Sequence, residues 1–181
     1  MSTLTPLDPA RLTGKAKELI DYVIEQRGRA PNLVRQMANS PAVLDGYLGF
    51  TRAMSEAAAP RELLALVAVT VAATVGDDYA EAIAERIATG AGVSAAAIGR
   101  AAKAAADDPR TGAALQFARD LVAAGGRLPE ARVEGLKAVG LAEGEIAEIV
   151  GTVCLNLFRA YFSLVARPEV DLAPAALADA R

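Results

Sequence analysis

Alanine constrains the fold of this chain more than any other feature, because 42 of the 181 residues are alanine. Alanine is the strongest helix former, and it is spread along nearly the whole chain. No segment alternates apolar and polar residues as a half-buried strand does, and no Asn-Gly or Asp-Gly turn joins two apolar runs. The sequence therefore predicts an all-α fold.

Proline, glycine and capping residues divide the chain into eight or nine predicted helices. A chain of this length can bury roughly 70% of its unfolded surface, so these helices can share a core without disulfides or metal. The approximate starts and ends are Gly14–Gln26, a short helix after Pro31, one from Ser40-Pro41, one from Pro60, Asp78–Gly90, Ser94–Ala106, Arg110–Ala124, Pro129–Val139 and Ala142–Ala166.

The apolar run from Leu63 to Gly76 has two interpretations. Its β-branched residues are typical of a strand, but the run is long for a strand and alanine is interleaved, so we favour a helix. Its 14 residues fall short of the roughly 18 to 20 that a membrane-spanning helix needs. We predict a buried helix in a cytoplasmic protein without a membrane partner. We expect no signal peptide at the N-terminus, since no basic segment precedes an apolar one there.

The last predicted helix is apolar over most of its length. Cys154 lies between apolar neighbours there, and we predict a small buried hydrophobe rather than a reactive thiol. Asn156, Arg159 and Tyr161 interrupt the helix with polar groups, which could line a cavity or face another subunit. Spacings of three and four mark a predicted buried stripe of Ile146, Val150, Val153, Leu157, Tyr161 and Leu164.

The sequence contains no histidine and one cysteine, which excludes whole classes of mechanism. No imidazole base can activate a serine or cysteine, and zinc or haem sites built on histidine are excluded as well. A single cysteine cannot form a CxxC pair or an internal disulfide. General acid/base catalysis must then depend on Asp, Glu, Lys or Tyr, and we predict no metal and no cofactor.

Charge argues against nucleic acid as a partner. The net charge is −3, the basic residues are scattered, and only four Phe and four Tyr are available for stacking on bases. Binding to phosphates needs a basic patch, which this sequence does not predict.

The densest polar group is Asp77-Asp78-Tyr79-Ala80-Glu81, which follows the apolar helix. One interpretation is a carboxylate cluster that acts as a base or binds a hard cation. The other is a helix start with Asp78 as N-cap and Glu81 completing a capping box, and we favour it on capping chemistry alone. Glu62, beside Arg61, is open to a similar pair of interpretations: a solvated first-turn residue or a pocket carboxylate.

Four segments in fixed order resemble the carboxymuconolactone decarboxylase and AhpD-like alkylhydroperoxidase superfamily. They are residues 27–50, PRELLALVAV at 60–69, AGVSAAAI at 91–98, and residues 107–158, which give the strongest match. The resemblance covers about residues 27 to 165. It implies a helical bundle that assembles into dimers, trimers or hexamers. It divides the chain into an N-terminal segment with the first helix (1–26), an AhpD-like domain (27–166) and a C-terminal tail (167–181).

The redox branch of that family uses a CxxC pair, an upstream glutamate and a histidine. The family's Arg-Glu motif aligns with Arg61 and Glu62. Aligning GDDYA with the family's Gly-Cys-x-Tyr-Cys motif places Asp77 and Ala80 at the two cysteine positions and Ala84 at the histidine position. We favour this alignment, although the distance from Glu62 is then about three residues longer than the family's.

An ungapped alignment from the same glutamate instead places Thr74, Asp77 and Glu81 at those positions. In either case both cysteines and the histidine are absent. Thiol peroxidase chemistry is therefore not expected, because no thiolate pair can be oxidised and resolved. The lactone-decarboxylase branch also depends on a histidine that this chain does not have.

These observations leave three hypotheses. The first is a protein that moves protons on a small organic acid, lactone or related metabolite, as a lyase or isomerase would. The second is a non-catalytic oligomer that binds a ligand, and the third keeps the family's label of a peroxidase-like antioxidant protein. Under the first hypothesis the predicted catalytic residues are Glu62, Asp77, Tyr79 and Glu81, and the predicted substrate-binding residues are Asp78, Asn156, Arg159 and Tyr161.

Overall fold

The computed structural model describes residues 2–171 as an all-α protein, and no strand occurs among them. The fold prediction is confirmed, including the choice of helix over strand for the apolar run. Within the described residues a short 3-10 helix, Pro9–Arg11, precedes nine helices. They are α1 (Gly14–Arg27), α2 (Asn32–Met37), α3 (Pro41–Ser55), α4 (Arg61–Val75), α5 (Asp78–Gly90), α6 (Ala95–Ala101), α7 (Pro109–Ala123), α8 (Glu130–Ala138) and α9 (Glu143–Ala166).

The described chain forms two compact units, and the first contains residues 2–55 with 161–171. In this unit α3 packs against both α1 and α2. Its core contains Ile20, Leu33 and Leu44, all essentially inaccessible to solvent. The side chain of Gln36, also fully buried, donates its amide hydrogens to the carbonyls of Leu4 (2.7 Å) and Ala166 (3.1 Å).

The second unit contains residues 56–160. Helix α4 is its centre, because it packs against α5, α6 and α7, while α8 packs against α7. Nine of the fifteen residues of α4 are buried, which explains why its sequence reads as one apolar run. Thr70, fully buried, donates its hydroxyl to the carbonyl of Ala101 at 2.7 Å and so joins α4 to the end of α6.

One sequence prediction about a helix end is wrong, and part of the predicted tail contacts α2. The helix predicted to run through Ala106 ends at Ala101, because Ala104 takes a left-handed conformation (φ 55°) that a helix cannot contain. The predicted tail begins with residues 167–171, which are held to α2. There the backbone N–H of Asn32 donates to the carboxylate of Asp171 at 2.9 Å. The rest of the predicted tail, residues 172–181, lies outside the described residues.

Helix α9 differs from the prediction in which side it buries. Ile146 and Val153 are buried as expected, but Tyr161 is 58% exposed and Leu164 is 45% exposed. Cys154, predicted to be buried, is a free and exposed cysteine. Spacing alone could not identify the buried side, because α9 is apolar around most of its circumference. Among the described residues it is also long and apolar enough to cross a membrane, although half of its most apolar window is buried inside the protein.

Candidate functional site

The predicted acidic group lies at the junction of α4 and α5. Gly76 ends α4 in the left-handed conformation (φ 73°), and Asp77 then has the extended backbone of an N-cap. The carboxylate of Asp77, 6% exposed, accepts a hydrogen bond from the backbone N–H of Ala80 at 3.0 Å. The prediction of Asp78 as the cap is therefore wrong by one residue. Asp78 is instead the exposed first residue of α5.

Glu81 is the residue of this group with a perturbed carboxyl. Burial raises the pKa of Glu81 above its usual value, and the nearby negative charges of Asp78, Glu85 and Asp77 raise it further. The structure thus brings four carboxylates together along the first two turns of α5. Tyr79 lies among them in sequence, with its side chain 3% exposed. A carboxyl that keeps its proton to a higher pH is better suited to exchange protons with a substrate near neutrality.

Glu62 lies at the opposite end of α4 from this cluster. It is exposed in the first turn of α4, and Val75, just before the junction, lies thirteen positions further along the same continuous helix. At 1.5 Å per residue this is about 20 Å along the helix axis. Glu62 and Asp77 therefore do not meet at one reacting atom.

The positions that the favoured alignment gives to the second cysteine and the histidine belong to the core. Ala80 is 2% exposed and Ala84 is fully buried, and both belong to the apolar cluster around α4. The ungapped alignment gives an exposed Thr74, a buried Asp77 and a half-buried Glu81 at the same three positions. In that second alignment the perturbed carboxyl stands where the family has its histidine.

A second group of polar side chains is buried along α9. The side-chain amide of Asn156, 4% exposed, donates to the carbonyl of Thr152 at 2.8 Å. The guanidinium of Arg159, 3% exposed, donates in turn to the side-chain oxygen of Asn156 at 2.7 Å. Tyr161 does not join them: two residues of helix turn it about 160° away from Arg159, on the exposed side.

Two further features lie outside the predicted site. The carboxylate of Glu148 on α9 accepts hydrogen bonds from the backbone N–H groups of Ala58 (2.9 Å) and Ala59 (2.7 Å), just before α4. The sequence signal for Glu148 was weak, since it is the third acid of α9 after Glu143 and Glu145. In the first unit, α1 and α3 border an open cleft of about 160 Å³. It is lined by Leu19, Tyr22, Asp45, Leu48, Gly49 and Arg52.

Metal ligation has no candidate in the part of the chain that the structure describes. Residues 2–171 contain no group of three or more His, Cys, Asp or Glu side chains placed to hold an ion. The hard-cation interpretation of the acidic cluster thus receives no support from the geometry.

Comparison with known proteins identifies the fold. No protein-family model matches the chain, and no curated protein does. Among solved structures, a variant of the debrominase Bmp8 in complex with 2,3,4-tribromopyrrole matches with a TM-score of 0.81 at 20% identity, over 99% of this chain and 97% of that one.

Two peroxidase-related proteins of uncharacterised function are similar to the same degree. The protein from Ralstonia eutropha JMP134, described as an alkylhydroperoxidase AhpD core, matches with a TM-score of 0.81 at 19% identity, over 93% of this chain and 92% of that one. The protein from Silicibacter sp. TM1040 matches with a TM-score of 0.80 at 16% identity, over 96% and 95%. The chain therefore has the AhpD-like helical fold, as the sequence resemblance implied.

Proposed function

We propose that this protein binds a small organic metabolite and moves a proton on it with the carboxylates at the start of α5, without thiol peroxidase chemistry. The observation that carries the proposal is the half-buried carboxyl of Glu81 in the first turn of α5. Burial raises its pKa, and three neighbouring carboxylates raise it further. As a base, Glu81 removes a proton from a carbon next to a carbonyl. As the resulting acid, it returns that proton to the same or a neighbouring atom, so no outside oxidant or reductant is needed.

The other residues of the proposal have supporting roles. Burial raises the pKa of Glu81 most, and the nearby charges of Asp78, Glu85 and Asp77 add to this effect. Such a cluster disfavours an anionic group beside it, so the substrate class we propose is a neutral lactone or carbonyl compound. Asn156 and Arg159 are proposed to bind a polar group of the ligand. Glu62 and Tyr161 are left out, since one lies about 20 Å along α4 from the junction with α5 and the other is on the far side of α9 from Arg159.

The fold supports the binding of a small organic molecule, and the cysteine content argues against thiol peroxidase chemistry. A debrominase with the same fold has been solved with a small brominated pyrrole, so this fold can hold an organic molecule of that size. This chain has no histidine, and its one cysteine is exposed on α9. We expect no thiol-dependent consumption of hydrogen peroxide. Robust turnover that Cys154→Ser abolishes would reinstate the peroxidase hypothesis.

Deuterium incorporation in D2O tests the proposed proton transfer. A panel of small lactones, with their open-chain carboxylates for comparison, is incubated with the protein and followed by NMR. We expect Glu81→Gln to slow exchange about 10²- to 10⁴-fold, the range of a positioned acid or base. Glu62→Gln is the matched control and should retain the wild-type rate. Equal rates for wild type and Glu81→Gln would remove Glu81 from the mechanism.

A non-catalytic ligand-binding oligomer is the second candidate. The buried Ala80 and Ala84 favour it, because the favoured alignment then leaves only core side chains where the family has chemistry. Under this candidate a lactone raises the melting temperature without any exchange, by an amount that follows its concentration relative to Kd. Exchange above the uncatalysed rate decides for the first candidate. We propose a cytoplasmic location for both.

A further inference from the structure

The open cleft between α1 and α3 carries opposite charges at its two ends. Asp45 and Arg52, both exposed, line the cleft from α3, seven positions apart in one continuous helix. Seven residues make almost two full turns, so the two side chains leave the same face of α3 about 10 Å apart along its axis. Leu48 and Gly49 lie between them on that face. The cleft therefore has an acidic end, an apolar middle and a basic end.

In the part of the chain that the structure describes, neither charged side chain has a hydrogen bond. Arg52 makes no ion pair among residues 2–171, and Glu56, the acid nearest to it in sequence, makes none either. The Nζ atom of Lys15 lies 3.9 Å from the carboxylate of Asp45, beyond hydrogen-bond distance, and it lies equally far from Glu18. Both ends of the cleft thus retain the capacity to bind a group of opposite charge.

The middle of the cleft has room for an apolar group. Leu19 and Tyr22 border it from α1, and Leu48 borders it from α3. Gly49 leaves the floor open, because a Cβ atom added there would meet no atom within 4 Å. The volume, about 160 Å³, is below the roughly 300–1,000 Å³ of pockets for drug-sized molecules, so a fitting ligand is smaller than those.

The two charged ends and the apolar middle together define a ligand. We propose that the cleft between α1 and α3 binds a short free peptide as a zwitterion. The terminal ammonium of the peptide donates to Asp45, a central apolar side chain lies over Gly49, and the terminal carboxylate accepts from Arg52. An extended tripeptide spans about 10 Å, which matches the separation of the two charged positions. A guanidinium suits the carboxylate end, because it can donate two parallel hydrogen bonds to one carboxylate.

This site is separate from the proposed proton-transfer site. The cleft belongs to the first unit, whereas Glu81 belongs to the second. Its affinity is expected to be weak, because water competes for charges at an exposed site. A small ligand held mainly by such contacts binds in the millimolar range. Loss of one charged contact should then weaken binding about fivefold.

Saturation-transfer NMR of the full chain with the tripeptide Gly-Leu-Gly tests the proposal. We expect saturable binding by wild type and at least about fivefold weaker binding of free leucine, whose two charges are on one carbon. Gly49→Leu should fill the floor of the cleft without a clash and weaken binding at least about tenfold. Its Tm should be no lower than that of wild type, because leucine favours a helix more than glycine does.

Arg127→Gln is the control for this experiment. Arg127 is an exposed arginine outside the cleft, so its replacement should leave the affinity for Gly-Leu-Gly unchanged. Absence of saturable binding by wild type overturns the proposal. Equal binding by wild type and a folded Gly49→Leu variant overturns it as well, since the peptide would then bind elsewhere.

Capped peptides test which end of the ligand binds which charge. N-acetyl-Gly-Leu-Gly has no ammonium and Gly-Leu-Gly amide has no carboxylate, and wild type should bind each about fivefold more weakly than the free peptide. Arg52→Gln should weaken binding of the acetylated peptide but not of the amide, and Asp45→Asn should do the reverse. This pattern assigns each charge, because a variant has no effect where its partner group is already missing. The opposite pattern, or equal losses for both capped peptides, overturns the assignment.

Discussion

The contact between Glu148 and the segment before α4 leads to a specific stability prediction. The Glu148 carboxylate accepts hydrogen bonds from two backbone N–H groups, those of Ala58 and Ala59, at 2.9 and 2.7 Å. Ala59 is 3% exposed, so its N–H has little access to water once the carboxylate is removed. Hydrogen bonds to charged groups contribute roughly 1.5–3 kcal/mol, and the bond from Ala58 is exposed and weaker. We expect Glu148→Ala to lower the free energy of unfolding by about 2–3 kcal/mol.

Urea denaturation followed by circular dichroism measures this loss. In a chain of this length about 2 kcal/mol also lowers Tm by roughly 4–8 °C. The free energy of unfolding of Glu148→Gln should lie between those of wild type and Glu148→Ala. The glutamine keeps one acceptor oxygen but turns an NH2 group toward the other backbone N–H. Glu134→Ala is the control: the ion pair of Glu134 with Lys137 (3.1 Å) is at the surface, where such pairs contribute about 0–1 kcal/mol. A Glu148→Ala variant within about 0.5 kcal/mol of wild type would refute the reasoning.

Three further measurements follow from individual side chains. Because burial and neighbouring charges raise the pKa of Glu81, the folded protein loses stability as the pH rises through that pKa. Glu81→Gln should therefore unfold like wild type in acid and be a few tenths of a kcal/mol more stable at pH 7. Urea titration at both pH values measures this difference. Hydrogen bonds from Thr111 lower the pKa of the α7 N-cap Asp108. Its contribution is therefore present above the usual carboxyl pKa and is lost as the pH falls through the lowered one. Asp108→Ala should cost about 1 kcal/mol at pH 7 and less in acid. Thr70→Val keeps the buried shape but removes the hydroxyl donor to Ala101, and thermal unfolding should show a loss of about 1 kcal/mol.

Helix starts and stops were predictable where one residue decides the backbone locally. Gly28 ends α1 in the left-handed conformation and Pro41 begins α3, as their chemistry predicts. Helix α7 begins at Pro109, one residue before the predicted Arg110. The end of α6 was not predictable, because the left-handed residue there is Ala104 rather than a glycine. The sequence contains no signal at that point, and alanine itself favours continuing the helix.

The candidate site was predictable in composition but not in geometry. Asp77 and Asp78 are equally good caps in sequence. The left-handed Gly76 ends α4, and Asp77, the next residue, then has the extended backbone of the N-cap. The separation of Glu62 from Asp77 depends on α4 being one unbroken helix. The order of the family's sequence motifs did not reveal this. The perturbed pKa of Glu81 depends on burial, a tertiary property that a capping motif cannot report.

Helix α9 shows why the buried side of an apolar helix could not be predicted from spacing. Its sequence is apolar on nearly every side, so periodicity could not distinguish the side that packs inward from the side that faces outward. Once the structure fixes that side, the polar groups lie inward with Arg159 and the apolar groups lie outward with Tyr161. Proton exchange is assigned to Glu81 on α5 and ligand binding to Asn156 and Arg159 on α9. A Glu81→Gln variant that still binds a lactone but no longer exchanges deuterium would therefore separate the two roles.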